Sequence, residues 1–276
     1  MQPSVFIGHG SPMNAIQATE FSRGWVNWGK KMYPESSFLP KAILVVSAHW
    51  LTEGTKLTAN SHPKTIHDFR GFPQELFQVE YPAPGDPSLS HKWANEFRFT
   101  DLEEDHSWGL DHGTWSFLRW IFPEANIPVL QLSIDYKKPF YWHYELAKEL
   151  SRLREENVLV VGSGNLVHNL SLYNWRNPNE KLEWAQEASE TFHKLILSGD
   201  AGKLSEGSQI STAAKLAINS AEHFVPILYS MGFSREKEEP YFFNDVVQSA
   251  LSMTSISWGE ATPASDKQEL FESIGK

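Results

Sequence analysis

The sequence predicts an α/β fold: a single domain over 1–276 with a central, mostly parallel β-sheet flanked by helices on both faces. Three observations predict it. Ala42-Ile43-Leu44-Val45-Val46 and Val158-Leu159-Val160-Val161 are apolar runs without alternation, which suits central parallel strands covered on both sides. Strand-like segments alternate with segments whose apolar residues recur at helical spacing. No internal repeat, low-complexity tract or linker divides the chain.

Each element has its own signal. Val5-Phe6-Ile7 runs into Gly8-His9-Gly10-Ser11-Pro12 and reads as a short buried strand ending at His9. A helix is expected over Glu20–Tyr33, and Leu57–Ala59 reads as a short strand. Residues 61–87 carry Pro63, Gly71, Pro73, Pro82, Pro84, Gly85 and Pro87. They read as a long irregular segment of the kind that often carries function. Asp86-Pro87 suits a helix N-cap followed by proline at the first helical position, with the helix reaching about Phe97. His112-Gly113-Thr114-Trp115 precedes a helix expected over Ser116–Phe122. Pro128–Ile134 reads as a strand, and Pro139 opens a helix with Leu146, Leu150 and Leu153 at helical spacing. Glu180–Leu197 reads as an amphipathic helix, and Phe224–Met231 as a short helix closed by Gly232. Phe242-Phe243 and Ser255–Trp258 read as edge strands, Glu103-Glu104-Asp105 as a solvated face or turn, and about 262–276 as a frayed polar tail.

Composition narrows the function. Hydrophobic residues make up 41% of the 276 residues, enough for a full core. The formal charge of −10 and the lack of a dense Lys/Arg run argue against nucleic acid as a partner. No apolar window is long enough for a membrane span, and the N-terminus lacks the pattern of a secretory signal. A cytoplasmic location is expected. The oligomeric state is left open. The chain has no cysteine, which excludes disulfides, thiolate metal sites and a thiol nucleophile. Any metal must be held by histidines and carboxylates, which suits Zn, Fe, Mn or Ni.

The 11 histidines are not placed alike. His9 and His49 each follow a predicted buried strand, and His168 follows a third by one Gly-rich turn. Ligands of open α/β sheets bind outside the carboxyl ends of the strands, so these three can face one crevice, and His223 can join them from a helix start. A lone histidine at a strand end is more often a structural residue; several in the same position shift the balance toward a site. His62, His67, His91, His106, His143 and His193 read as loop or helix-surface residues. Gly162-Ser163-Gly164 is a broken dinucleotide motif, and neither Ser11 nor Ser163 sits in a nucleophile-elbow pattern.

Five blocks occur in order: Gly8-His9-Gly10-Ser11-Pro12, Ser47-Ala48-His49-Trp50, Asp111-His112-Gly113-Thr114-Trp115, Gly162 to Asn169 with His168, and Glu222-His223-Phe224-Val225-Pro226. Together they resemble the class III extradiol dioxygenases of the LigB-like superfamily, and most closely the 4,5-DOPA dioxygenase extradiol family. The resemblance implies His9, His49 and His223 as metal ligands and His168 as the acid/base residue, or a fourth ligand in a zinc form. It implies His112 as a contact to substrate or oxygen, with Glu222 the alternative third ligand. It also implies one divalent ion per chain, Fe(II) for ring cleavage with Zn(II) plausible as the ion bound, and a small aromatic diol and O₂ as partners. Trp50 and Trp115 are candidates for packing on the substrate ring, although core positions suit them better. Ala217-Ile218-Asn219-Ser220-Ala221 stands where family members often carry a His-Pro-Thr-like stretch. That departure bears on the substrate and not on the ligands. Two other readings stay open: a zinc-dependent hydrolase on the same histidines, and a Memo-like binding protein.

Overall fold

All five positions of the first strand, β1 (Ser4–Gly8), are buried, because it lies inside the sheet with a neighbour on either side. The computed structural model describes residues 1–262. Helix α1 (Glu20–Met32) starts where the Thr19 side chain accepts from the Ser22 amide, and it turns Phe21, Trp25 and Trp28 inward. Strands β2 (Ala42–Thr52) and β3 (Thr55–Thr58) follow. The segment at 61–87 is irregular apart from a 3-10 turn at Gln74–Gln78. It ends at Asp86, whose carboxylate accepts from Leu89 N–H and caps α2 (Pro87–Glu96), as the Asp-Pro pair predicts.

Then come β4 (Leu102–Asp105), α3 (His112–Ile121), β5 (Val129–Asp135), α4 (Phe140–Leu150), β6 (Val158–Gly164) and α5 (Glu183–Leu197). The chain closes through α6 (Ala201–Leu204), α7 (Thr212–Ala217), α8 (Val225–Phe233), β7 (Pro240–Phe243), β8 (Val247–Gln248), β9 (Leu251–Ser252) and β10 (Ser255–Trp258).

The main sheet has the order β4-β3-β5-β2-β6-β1-β10-β7. Its inner strands β5, β2, β6 and β1 are mutually parallel, so their carboxyl ends share one edge. Alternation sorts the side chains. Val5, Ile7, Ile43, Val45, Leu159 and Val161 pack beneath α1 and α3. Phe6, Leu44, Val46, Val158 and Val160 point the other way, toward α4, α5, α7 and α8. The apolar runs are continuous because both faces are covered.

The structure corrects several local expectations. Glu103-Glu104-Asp105 is not a turn but the rim strand β4, parallel to β3; its acidic side chains suit an unpaired edge. Ser255–Trp258 is not an edge, since β10 pairs with both β1 and β7. Helix α3 begins at His112 rather than Ser116, and α5 begins at Glu183 rather than Glu180. Gly232 lies within α8 and does not close it. A Cβ there would sit 2.4 Å from the Tyr144 carbonyl of α4, so this glycine serves close helix packing. His143 is buried and bonds the Tyr229 hydroxyl at 3.0 Å; it is a core residue, not a surface one. Thr262 is docked through its amide on the Met1 carbonyl; the rest of the expected polar tail lies outside the described residues.

Arg154 ties distant parts of the fold together. Its side chain is fully buried and makes a two-pronged ion pair with Glu238, at 2.7 Å on each arm. It also donates to the carbonyls of Gln2, Phe233 and Trp258. Removing Arg154 leaves the half-buried Glu238 carboxylate and three backbone carbonyls without their donor. Arg154→Met is expected to destabilise the protein by about 3–5 kcal/mol, read as the shift in a denaturant midpoint. A shift under about 1 kcal/mol would show that the pair contributes little.

Candidate metal centre

The parallel edge delivers the histidines. β1 stops at Gly8 and leaves His9 at its carboxyl end, where the His9 amide donates to the Gly164 carbonyl. His49 does not follow a strand, as expected, but sits inside β2, which continues to Thr52. Between Val46 and Leu51 the pairing slips, since that stretch of β2 faces only Leu132 to Ile134 of β5. The resulting bulge carries Ser47, Ala48, His49 and Trp50 out of the regular pleat and re-aims His49. His168 follows β6; its amide donates to the Ala217 carbonyl, and it bridges to Ile218 and to Leu251. His223 leads into α8, and its carbonyl accepts from the Asn165 amide. A Cβ on Gly164 would lie 2.1 Å from that carbonyl, so only glycine at the end of β6 lets the His223 segment approach.

Three ligand nitrogens converge. One from each of His9, His49 and His223 lies within 4.8 Å of the others. The ring centroids are 5.0, 5.4 and 5.1 Å apart. His9 Nε2 and His49 Nε2 are separated by only 3.1 Å. The opposite nitrogens are held by oxygens. Ser163 donates its own hydroxyl hydrogen to the Gly113 carbonyl, so its oxygen accepts from His9 Nδ1 at 3.0 Å. His49 Nδ1 lies 3.3 Å from Asp68 Oδ2. His223 Nδ1 lies 3.3 Å from Glu222 Oε1. Hydrogen-bond acceptors at Nδ1 of His9 and His223 place the proton there and leave the lone pair on Nε2; the Asp68 carboxylate beside His49 Nδ1 favours the same tautomer.

The electrostatics agree. Burial, together with the neighbouring imidazoles, holds His9 and His49 well below the usual histidine range. Burial lowers His223 as well, against the pull of Glu222. These rings are neutral at neutral pH, the form that binds a metal. Burial works against the Glu222 charge, but hydrogen bonds from His223 and Ser220 hold its carboxyl down at about 2. Partial burial likewise opposes the Asp68 charge, and the His112 imidazole holds that carboxyl below its usual range. Two bare Nε2 lone pairs at 3.1 Å repel unless a cation lies between them. The donor set therefore fits one divalent ion of the kind that imidazole nitrogens favour.

The remaining predicted residues surround this centre. His168 stacks on His223, centroids 3.6 Å apart and ring planes nearly parallel, and groups with Glu222 and His223 rather than with His9 and His49. Its Nδ1 is buried with no partner among the described residues, and burial pushes it down to about 3. His112, in the first turn of α3, lies 4.0 Å from the His49 ring. Its Nδ1 and its amide both donate to Asp68 Oδ1. Asp111, just before α3, accepts from Ser47 and Gln131; burial and the nearby Asp68 charge push it up to about 6.

A cavity of 260 Å³ opens onto the rings of His9, His49, His112, His168 and His223. Phe69 and Phe72 form one wall, so the irregular segment at 61–87 does border the site. Trp50 and Trp115 do not line it: Trp50 stacks on Trp108, and buried Trp115 donates to the Ile66 carbonyl. Sequence reasoning missed Asp68, which joins His49 to His112, and Ser163, which orients His9. The irregular stretch around Asp68 hints at function, but no local pattern singles out that carboxylate.

The family model described as the catalytic LigB subunit of aromatic ring-opening dioxygenase matches residues 3–257. A protein of Escherichia coli (strain K12) named 4,5-DOPA dioxygenase extradiol is 38% identical, over 93% of this chain and 94% of its own length. A protein of the same name from Beta vulgaris is 34% identical, over 87% and 89%. The crystal structure of an uncharacterized protein from Escherichia coli K12 superposes with a TM-score of 0.79 at 33% identity. It covers 94% of this chain and all of its own.

Asp68→Asn keeps the shape of the side chain but turns one oxygen into a donor facing His49 or His112. Affinity for a divalent metal should fall about 10–100-fold with the fold intact, as measured by competition with a chromophoric chelator. Unchanged affinity would remove Asp68 from the set that orients the ligands.

Proposed function

We infer that this chain, which belongs to the LigB family of aromatic ring-opening dioxygenases and is an extradiol dioxygenase, opens a DOPA-like catechol ring with O₂ to give a muconic semialdehyde. The observation that carries the reading is the trio of neutral imidazoles with inward lone pairs, set in a cavity walled by aromatic rings. In this reading His9, His49 and His223 hold the ion, and Glu222 serves as the acceptor behind His223 rather than as a ligand. Ferrous iron, when bound, would bring catechol and O₂ to one centre and carry electrons between them; zinc would occupy the same nitrogens without redox chemistry. The cytoplasmic setting expected from the sequence belongs to this reading too.

The chain's own groups manage protons and position. Ser163, Asp68 and Glu222 keep the ligand rings in one tautomer and one orientation. His168 is neutral at neutral pH and takes a proton from a catechol hydroxyl, then returns it as the ring opens. His112, with Nδ1 committed to Asp68, presents its other nitrogen to a substrate oxygen. Phe69 and Phe72 keep water from one side of the reacting ring.

The test is oxygen uptake by protein reconstituted anaerobically with Fe(II) and mixed with catechols including DOPA. Uptake should match a yellow ring-opened product and vanish when zinc replaces iron. His168→Ala should retain iron and lose about 10²–10⁴-fold in turnover. No uptake across the panel, with iron verified in the site, would overturn the reading.

A further inference from the structure

The walls of the cavity carry information that the metal centre does not. Beyond the histidines it is lined by Phe69, Phe72, Leu170, Tyr173, Trp175 and Leu251, together with the Gly10–Pro12 turn. Among the described residues, no lysine or arginine lines it. Arg70 and Arg176 adjoin Phe69 and Trp175 in sequence, yet both are exposed and neither lines the cavity. The full charges closest to the rings are negative, on Asp68 and Glu222.

The outer part of the wall is more apolar than a solvated rim needs to be. Trp175 is 71% exposed and Leu170 is 43% exposed, although both line the cavity. The Trp175 ring meets Tyr173 at a tilt of 59°, with centroids 4.8 Å apart. The Asn174 side chain accepts from the amides of Arg176 and Asn177 and donates to Glu180. The turn therefore presents the indole outward in a defined position. A ring seated at the metal would leave its substituent running along this strip.

We propose that the substrate is a catechol whose ring substituent is apolar and bears no carboxylate, and that Leu170, Tyr173 and Trp175 form the subsite for that arm. The inference rests on the catechol reading above, keeps its ring chemistry and replaces its DOPA-like arm. A carboxylate on this strip meets no cation among the described residues and is repelled by the carboxylates behind the ligands, and any part of it that is covered loses water. A hydrocarbon arm instead removes the exposed indole and leucine surface from water. The relatives are named for DOPA, whose arm carries a carboxylate, so the inference sets this chain apart from them at the arm and not at the ring.

The experiment is a set of dissociation constants for zinc-loaded protein, in which binding is seen without turnover, measured by calorimetry at neutral pH. The ligands are 4-propylcatechol, 3-(3,4-dihydroxyphenyl)propanoate, which has the same carbon count, and unsubstituted catechol. Propylcatechol should bind at least about tenfold more tightly than the propanoate. Trp175→Ala should weaken propylcatechol severalfold and leave catechol unchanged. Phe72→Arg should tighten the propanoate. Equal or tighter binding of the propanoate by the unaltered protein, or a Trp175→Ala effect of equal size on catechol, would overturn the inference and leave the catechol reading standing. No binding of any of the three, with zinc occupancy verified, would overturn both.

Discussion

Two unprotonated imidazole nitrogens do not rest 3.1 Å apart without a proton or a cation between them. At His9 and His49 the protons are drawn to the far side of each ring, by Ser163 and by Asp68. His223 repeats the arrangement with Glu222. The centre is thus a concentrated repulsion that a divalent ion would relieve, and the rest of the molecule holds it in place. A flexible surface would let the rings part. Here His9 and His223 are almost wholly buried and each is anchored through backbone to β6.

The sheet makes that concentration possible. Parallel inner strands put several carboxyl ends on one edge, so residues far apart in sequence arrive side by side. β1 contributes by ending, β2 by bulging, and β6 by finishing in a glycine that admits the His223 carbonyl. The two faces divide the work. The face under α3 carries the polar chain from Gln131 through Asp111 to Ser47, which ties the first turn of α3 to the bulge in β2. The opposite face carries α8, whose start positions His223. Metal affinity, ring orientation and core packing are therefore linked through the same few contacts.

Much of this was legible in the residues. The apolar runs at 42–46 and 158–161 identify inner strands because only burial on both faces tolerates them. Asp86-Pro87 marks a helix start by chemistry that needs no tertiary help. Where local reading failed, a distant partner decided. Glu103-Glu104-Asp105 is a strand only because β3 lies beside it. Gly232 looks like a helix stop until Tyr144 is seen against it. His143 looks like a surface histidine until Tyr229 faces it. Ser163 fits neither a nucleophile elbow nor a complete nucleotide motif in the sequence, and proves to be the acceptor behind His9.

The sequence by itself determined the fold class and the donor chemistry. Hydrophobic periodicity is a local property, and a chain without cysteine leaves only imidazoles and carboxylates to hold a soft or borderline metal. It also placed His9 and His168 at strand ends, where an α/β sheet gathers its ligands. Only the tertiary structure decided which nitrogen of each ring faces inward and which carboxylate stands behind which histidine. It alone also decided that Phe69, Phe72, Tyr173 and Trp175, rather than Trp50 or Trp115, wall the cavity. Those outcomes depend on contacts of about 3 Å between residues many positions apart, and no spacing along the chain encodes a distance of that kind.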